Sequence, residues 1–273
     1  MLDATKRYAA LVLGLAAAMI VMSFASGSLV SWRGVPGPTV GMAIQPVGAV
    51  ATLAVCLTIC FLIAVAVGRV VNAAVAAFVV GGGLAALSMQ CGTHLDLLFA
   101  GAAPMPVVIE TLVWAIVVLL LAAGLMRLTG PLPDQPWNTA AQATSPASVF
   151  DADAIRGAAA GAVSLVALWA VAGNDLKGQA IAAATIAGIG TGMAGRMLAP
   201  RVQPVLLFAA PLVFIAIGRL WVGFAGTDSI AAWAAGQASG LGVPTPLDAA
   251  AGSLMGVAMG LGWSRGFVED HAD

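Results

Sequence analysis

Near the C-terminal end, glycine recurs at every fourth position, as Gly252, Gly256 and Gly260. A helix places residues four apart on one face, so the sequence predicts a helix over 248–264 with one stripe that lacks side chains. In water each glycine would weaken such a helix by about 1 kcal/mol relative to alanine. In a bilayer the same stripe lets a neighbouring backbone approach closely. The segment therefore predicts a membrane helix that packs against a partner helix.

Charged residues are too few to cover a water-facing surface. Only 8% of the 273 residues are charged and 61% are apolar, whereas soluble domains carry about 25% charged residues. A formal net charge of −1 argues against nucleic acid as a partner. The composition predicts an all-helical integral membrane protein whose main partner is the lipid bilayer.

Eight segments approach the length of about 20 apolar residues that a membrane-crossing helix needs. They are residues 8–27, 47–67, 70–89, 105–126, 154–172, 178–198, 205–221 and 248–264. The longest polar stretch, residues 129–153, contains four prolines and separates two groups of four segments. We therefore expect one membrane domain made of two four-helix halves, residues 1–128 and 154–273, joined by a linker at 129–153.

The distribution of lysine and arginine predicts the orientation. With eight crossings, eight of these residues fall on the side of the N-terminus: Lys6, Arg7, Arg69, Arg127, Arg156, Arg196, Arg201 and Arg265. The other three, Arg33, Lys177 and Arg219, fall on the opposite side. Because basic residues mark cytoplasmic loops, we expect both termini and the linker in the cytoplasm and the chain in the cytoplasmic (inner) membrane. Five tryptophans are expected to form an aromatic belt on the outer side: Trp32, Trp114, Trp169, Trp221 and Trp233.

The first apolar segment has a second interpretation. Lys6 and Arg7, an apolar core over 8–22 and the small residues at 23–25 also match a cleaved secretory signal. The apolar core is at the upper limit for a signal, and small apolar residues continue beyond the cleavage position. We expect a retained helix.

Three ionisable residues near the predicted outer side are candidates for a polar vestibule. They are Glu110, Asp248 and Arg219, and ionisable residues at membrane depth are functional candidates by default. A structural interpretation exists for two of them, since Asp248 complements the positive end of its helix and Arg219 can extend to the headgroups. For Glu110 both interpretations stay open, because a carboxylate at that depth needs water or a partner.

The loop after the third segment contains the only candidates for a metal site. Cys91 and His94 have the spacing of half a zinc or copper site, but the chain has no second half. Packing is the usual role of a cysteine at the end of a membrane helix. We therefore expect no metal and no cofactor.

Glycines in the sixth segment predict the partner of the last one. Gly188, Gly192 and Gly195 are spaced four and three apart, which we interpret as a second bare face against the glycine stripe of the last segment. The fifth segment, with Gly157 and Gly161, is the alternative partner. Elsewhere, Gly81-Gly82-Gly83 and Pro211 have two interpretations. In the first, they interrupt helices where a substrate binds. In the second, they are packing or kink positions, where neighbouring helices satisfy the backbone.

The sequence contains no catalytic motif that we can identify, so we expect a protein that is not an enzyme. Two functions fit eight short-looped segments. The first is a small-solute transporter or permease, or the membrane subunit of one. The second is a non-transporting structural subunit that packs through its glycine faces against partners or a second copy of itself. A polar cavity between the halves would favour the first.

Overall fold

The computed structural model describes residues 2–132, 150–200 and 202–264. Most of the predicted linker at 129–153 lies outside these residues, and so do Arg201 and Arg265 of the charge count. Within the described ranges every regular element is helical, apart from two isolated bridges in the loop over 30–43. The chain is therefore an all-helical protein over these ranges.

Eleven helices follow one another along the described chain. They are α1 (Leu2–Ser23), α2 (Pro46–Val70), α3 (Ala73–Ser88), α4 (His94–Phe99), α5 (Pro104–Thr129), α6 (Ala152–Ala158), α7 (Val163–Val171), α8 (Lys177–Leu198), α9 (Val205–Ala225), α10 (Ile230–Ala234) and α11 (Pro246–Trp263). A 3-10 turn, Phe24–Leu29, extends α1, and another, Ala159–Ala162, joins α6 to α7.

Six helical stretches are long and apolar enough to cross a membrane, which indicates a membrane protein. They are Ala4–Leu29, Pro46–Val70, Pro104–Thr129, Ala152–Val171, Lys177–Leu198 and Val205–Ala225. The two other expected segments are α3 and α11. At 1.5 Å per residue, the 16 residues of α3 span about 24 Å, which is less than the bilayer core of about 30 Å.

Helices α3 and α11 lie in the centre of the bundle and are buried on most sides. Every residue of α11 from Pro246 to Leu254 is buried. Both helices are rich in alanine and glycine, because a helix surrounded by other helices has room only for small side chains. Neighbouring helices rather than lipid therefore surround much of these two segments.

Helix α11 packs against α8 with the two backbones in contact. A Cβ added to Gly256 would lie 2.8 Å from the Cα of Gly188, and one on Gly260 would lie 3.0 Å from the Cα of Gly192. Real Cβ atoms do not approach other atoms so closely. The bare stripe of α11 therefore fits against the bare face of α8, and only glycine allows the observed separation.

Gly195 belongs to a different contact, which corrects the expected face of α8. A Cβ on Gly195 would meet the side chain of Leu207 in α9 and, at 3.1 Å, the carbonyl oxygen of Gly157 in α6. Three residues turn a helix by about 300°, so Gly195 points about 60° away from Gly192 around the helix axis. Gly188 and Gly192 face α11, whereas Gly195 faces α6 and α9.

The triple glycine lies inside an unbroken α3 and packs closely against two neighbouring helices. Added Cβ atoms on Gly81 and Gly83 would clash with the Met255 backbone nitrogen of α11 at 2.8 Å and with the Ala18 carbonyl oxygen of α1 at 3.1 Å. Gly82 faces Leu15 of α1. Consecutive helical residues point about 100° apart, so three glycines in a row let α3 approach two helices closely at one level.

Pro211 also lies within a continuous helix, α9. The hydroxyl of Ser253 in α11 donates a hydrogen bond to the carbonyl of Phe208, in the turn that Pro211 deprives of one N–H donor. A neighbouring side chain thus binds backbone next to the proline, as membrane helices require. Both sequence features favour packing over an interrupted helix.

Candidate functional site

Four loops meet at one end of the bundle, which we call the loop end. They are the segments over 24–45, 89–103, 172–176 and 226–245. Arg33 of the first loop forms an ion pair with Asp96 of the second at 2.8 Å. The backbone N–H of Leu95 donates to Asp175 of the third loop at 3.3 Å. The sequence predicted these four loops on one side of the membrane, and their side chains do come together here.

An enclosed ion pair connects α8 to α11 at the loop end. The Lys177 Nζ lies 3.0 Å from Asp248 Oδ1 and 3.1 Å from Oδ2. The Asp248 side chain is fully buried, and that of Lys177 is 10% exposed. Lysine begins α8 and aspartate lies in the first turn of α11, so the pair holds two parallel helices together at their N-terminal ends.

Further donors and acceptors complete the environment of this pair. Thr245 and Asp248 form a capping box, with the Thr245 N–H and hydroxyl each 2.8 Å from Asp248 Oδ2. The Ser88 hydroxyl of α3 donates to Asp248 Oδ1 at 2.5 Å. Lys177 also donates to the carbonyl of Gly92 at 2.8 Å. The Asp248 carboxylate therefore joins α3 of the first half to α8 and α11 of the second.

A second pair lies at the same end, between α4 and the loop before α10. The His94 Nε2 is 2.5 Å from Asp228 Oδ1. The Trp233 ring packs against the His94 ring with 5.9 Å between their centroids. His94 is 2% exposed, and its Nδ1 has no hydrogen-bond partner within the described ranges. The imidazole is thus held on one side by a carboxylate and on another by an indole.

The pKa of Asp228 reflects these neighbours. Burial by itself would raise the pKa of this carboxyl, but the hydrogen bond with His94 and the charges of His94 and Arg219 outweigh burial. They hold the pKa below its ordinary value. Asp228 is therefore stabilised in its ionised form by contacts that exist only in the folded chain.

Arg219 lies between the two pairs and is buried, with 5% of its surface exposed. Its Nη2 donates a hydrogen bond to the carbonyl of Pro244. The charges of Asp228, Asp248 and Glu110 all act on it. The Arg219 side chain therefore does not extend to the headgroups as expected. It binds the carbonyl of Pro244 instead and lies near carboxylates of the loop end.

Glu110, in α5, is bound by the first loop and not by the other two vestibule candidates. Its carboxylate accepts hydrogen bonds from the backbone N–H groups of Val40 at 2.9 Å and Gly41 at 3.2 Å. It makes no hydrogen bond or ion pair with Arg219 or Asp248. The structure thus brings Arg219 and Asp248 to the same buried region, whereas Glu110 is fixed by the first loop.

The two candidate metal ligands are engaged in other contacts. The Cys91 Sγ donates to the carbonyl of Leu87 at 3.4 Å, and burial raises the pKa of its thiol to about 12. His94 presents Nε2 to Asp228. Over the ranges that the structure covers, no three histidine, cysteine, aspartate or glutamate side chains form a group suited to a metal ion.

The aromatic belt is only partly as expected. Trp32, Trp169 and Trp221 are largely exposed, but Trp114 is buried at 4% exposure. Trp114 lies one turn after Glu110 and points into the protein rather than to the headgroups. Trp233 packs on His94 and is partly buried, so it differs from the three exposed tryptophans.

Sequence reasoning missed three members of the site: Ser88, Lys177 and Asp228. We define the polar cluster as these three residues, the three that they contact (His94, Thr245 and Asp248), and Arg219, whose charge acts on Asp228. Lys177 falls in the sequence between the predicted segments 154–172 and 178–198, outside both helices. One signal was present, because a lysine at the first position of a helix opposes the helix dipole and needs a compensating carboxylate.

No protein family, no curated protein and no solved structure matches this chain in the three comparisons with known proteins.

Proposed function

We propose that the chain moves a small solute across a membrane, alone or as the membrane subunit of a larger transporter. The solute path starts at the polar cluster and follows the seam between α3 and α11, where the two halves of the chain meet. The six long apolar helices supply the membrane domain. This first candidate function, a transporter, thus assigns the polar cluster as the solute site and the α3–α11 seam as the path.

The buried Lys177–Asp248 pair is the observation that carries this proposal. A buried ion pair is weak evidence for stability, because desolvation of both charges opposes their attraction. Ionisable residues enclosed in membrane proteins instead mark solute and proton paths. The pair here has a second pair, His94–Asp228, and a buried arginine beside it. Charged groups of both signs at one closed seam support binding of a small polar or charged solute.

Uptake by proteoliposomes tests the proposal without a known solute. Protein-containing and protein-free liposomes are incubated with a mixed extract of small metabolites, and the trapped solutes are identified by mass spectrometry. We expect at least one solute to be enriched by the wild type and not by Asp248→Asn, with Asp153→Asn as a matched control at an exposed carboxylate. Enrichment that is equal in wild type and Asp248→Asn, or absent from every folded preparation, would contradict the proposal.

A structural subunit is the second candidate. The close contact of α8 and α11 through Gly188 and Gly256 favours it, as do the many hydrogen bonds that occupy Asp248. Such a protein would bind partner subunits or a second copy of itself through its exposed apolar faces. It would keep the polar cluster closed under all conditions, whereas a transporter must open it.

Topology is part of the proposal. We propose that the chain crosses the cytoplasmic (inner) membrane eight times, with α3 and α11 as the two central crossings. Both termini then lie in the cytoplasm. We also propose that the protein has no catalytic activity. Single cysteines at Ala235, in the loop end, and at Asn138, in the linker, would then react with an impermeant thiol reagent from opposite sides. Reaction of both from the same side would exclude this topology.

A further inference from the structure

A groove with a volume of about 530 Å³ runs between α2 and α5. Ligand sites for drug-sized molecules have volumes of about 300–1,000 Å³, apolar walls and a few placed polar groups. Exposed side chains such as Val50 and Ile109 lie along it, so the groove is accessible from the side of the bundle. Its walls include six branched aliphatic side chains from the two helices: Val50, Leu53, Leu57, Ile109, Val113 and Val117.

Glu110 is the charged side chain of this groove. The 3-10 helix Val40–Met42 lies over its carboxylate, with the N–H groups of Val40 and Gly41 donating to the two oxygens. Trp114, one turn later in α5, lines the same groove. Because both backbone groups donate, these hydrogen bonds favour the ionised form of the carboxylate.

The charge of this carboxylate has no cation in direct contact among the ion pairs of the described ranges. The two backbone donors leave about two of the four lone-pair positions of a carboxylate unused. An unpaired carboxylate beside an apolar surface is costly, and it recovers energy when a cation reaches it. The groove therefore offers a negative head site and an apolar body site.

A second groove of the same volume, about 530 Å³, provides an internal comparison. It lies where α5, α6 and α9 meet and is lined by residues such as Leu112, Ile155 and Phe214. None of its lining residues is ionisable. Both grooves thus have apolar walls, but of the two only the groove between α2 and α5 also has a charged side chain, Glu110.

We propose that the groove between α2 and α5 binds a lipophilic primary amine, with the ammonium group on Glu110 and the apolar body between the helices. The Val40–Met42 turn already occupies part of the carboxylate, so a compact ammonium group fits the remaining positions better than the larger headgroup of a phospholipid. Binding does not require that the amine be transported, so this inference goes beyond the proposed function.

Titration calorimetry with two probes of one shape tests the charge requirement. The protein is placed in nanodiscs of phosphatidylcholine, which has no primary amine, and titrated with 1-aminoadamantane and with the uncharged 1-adamantanol. We expect saturable binding of the amine and at least about tenfold weaker binding of the alcohol, since a charge-assisted hydrogen bond exceeds the 1.4 kcal/mol of a tenfold change. Equal affinities would overturn the proposal.

Three variants locate the site. Glu110→Gln should weaken amine binding by about tenfold or more. Ala54→Trp should fill the groove and abolish binding while Glu110 is retained. Ala159→Trp fills the uncharged groove and should leave binding unchanged. If Glu110→Gln does not fold, Ala54→Trp and Ala159→Trp still show whether the amine binds in the groove between α2 and α5.

Two results would overturn the proposal at the level of the variants. One is amine affinity that neither Glu110→Gln nor Ala54→Trp changes. The other is a retained phospholipid, detected by native mass spectrometry, that Ala54→Trp removes while 1-aminoadamantane does not bind the wild type. The uptake assay on Asp248 is independent of both, so failure of either proposal is recognisable separately.

Discussion

Gly256 and Gly188 face each other across the contact of α11 and α8, so closely that a Cβ on Gly256 would lie 2.8 Å from the Cα of Gly188. The carbonyl oxygen of Thr185 lies on the same side. Neither obstacle is a flexible side chain that could move away. Any larger residue at position 256 must separate the two helices.

Gly256→Leu should therefore destabilise the protein by about 1–3 kcal/mol, as overpacked cores do. Gly262 lies on the same helix with no atom within 4 Å of an added Cβ, so Gly262→Leu is a matched control that we expect to be near neutral. Thermal unfolding in detergent, followed by loss of monodisperse protein, measures both. Equal stability of the two variants would show that the α8–α11 contact does not hold the bundle together.

The Lys177–Asp248 pair should behave as a buried pair in mutational tests. Lys177→Met leaves the Asp248 charge buried without its partner, which typically costs about 3–5 kcal/mol. The double variant Lys177→Met with Asp248→Asn should be more stable than Lys177→Met alone, because it no longer buries an uncompensated charge.

The exposed pair of Arg156 and Asp153 is the control for this experiment. Arg156→Met should change stability by less than about 0.5 kcal/mol, since surface pairs contribute little. Denaturant titration of all four proteins provides the comparison. A Lys177→Met variant as stable as Arg156→Met would mean that water reaches Asp248.

Acid should weaken the contact between α4 and the loop before α10. The pKa of Asp228 is lower in the folded protein than in the unfolded chain, where it is about 3.9. The ionised form therefore stabilises the fold fully above that value, and its contribution is lost as the pH falls through the folded pKa. The stability difference between wild type and Asp228→Asn should shrink below about pH 4. A difference that stays constant from pH 6 to pH 3 would contradict this assignment.

The sequence led directly to the membrane class and to the two glycine faces, because helical periodicity and composition are local properties. It did not lead to the polar cluster. His94 and Asp228 are 134 residues apart, and Ser88 and Asp248 are 160 apart. Such pairs depend on which helices lie side by side, and spacing within one segment contains no information on that.

Two particular residues show why the remaining site assignments differed. Gly195 follows Gly192 by three residues, a spacing that is compatible with a shared helix face. In the structure, however, Gly195 points towards α9. Glu110 was expected near other ionisable side chains, yet it binds backbone N–H groups of the first loop. Backbone donors in irregular loops have no sequence signature, so that contact could not be predicted.

In the proposed transporter, the seam between α3 and α11 below the polar cluster opens during transport. Ala251 lies in that seam and is fully buried, and Ala18 is an equally buried alanine in α1. A cysteine is placed at each in turn, after Cys56, Cys60 and Cys91 have been replaced, with Ala235→Cys in the exposed loop as the positive control. An impermeant methanethiosulfonate reagent is then applied from each side in turn. We predict that the cysteine at 251 reacts from both sides and the one at 18 from neither. Equal inertness at 251 and 18 under all conditions would contradict the transporter and favour a permanently closed membrane subunit.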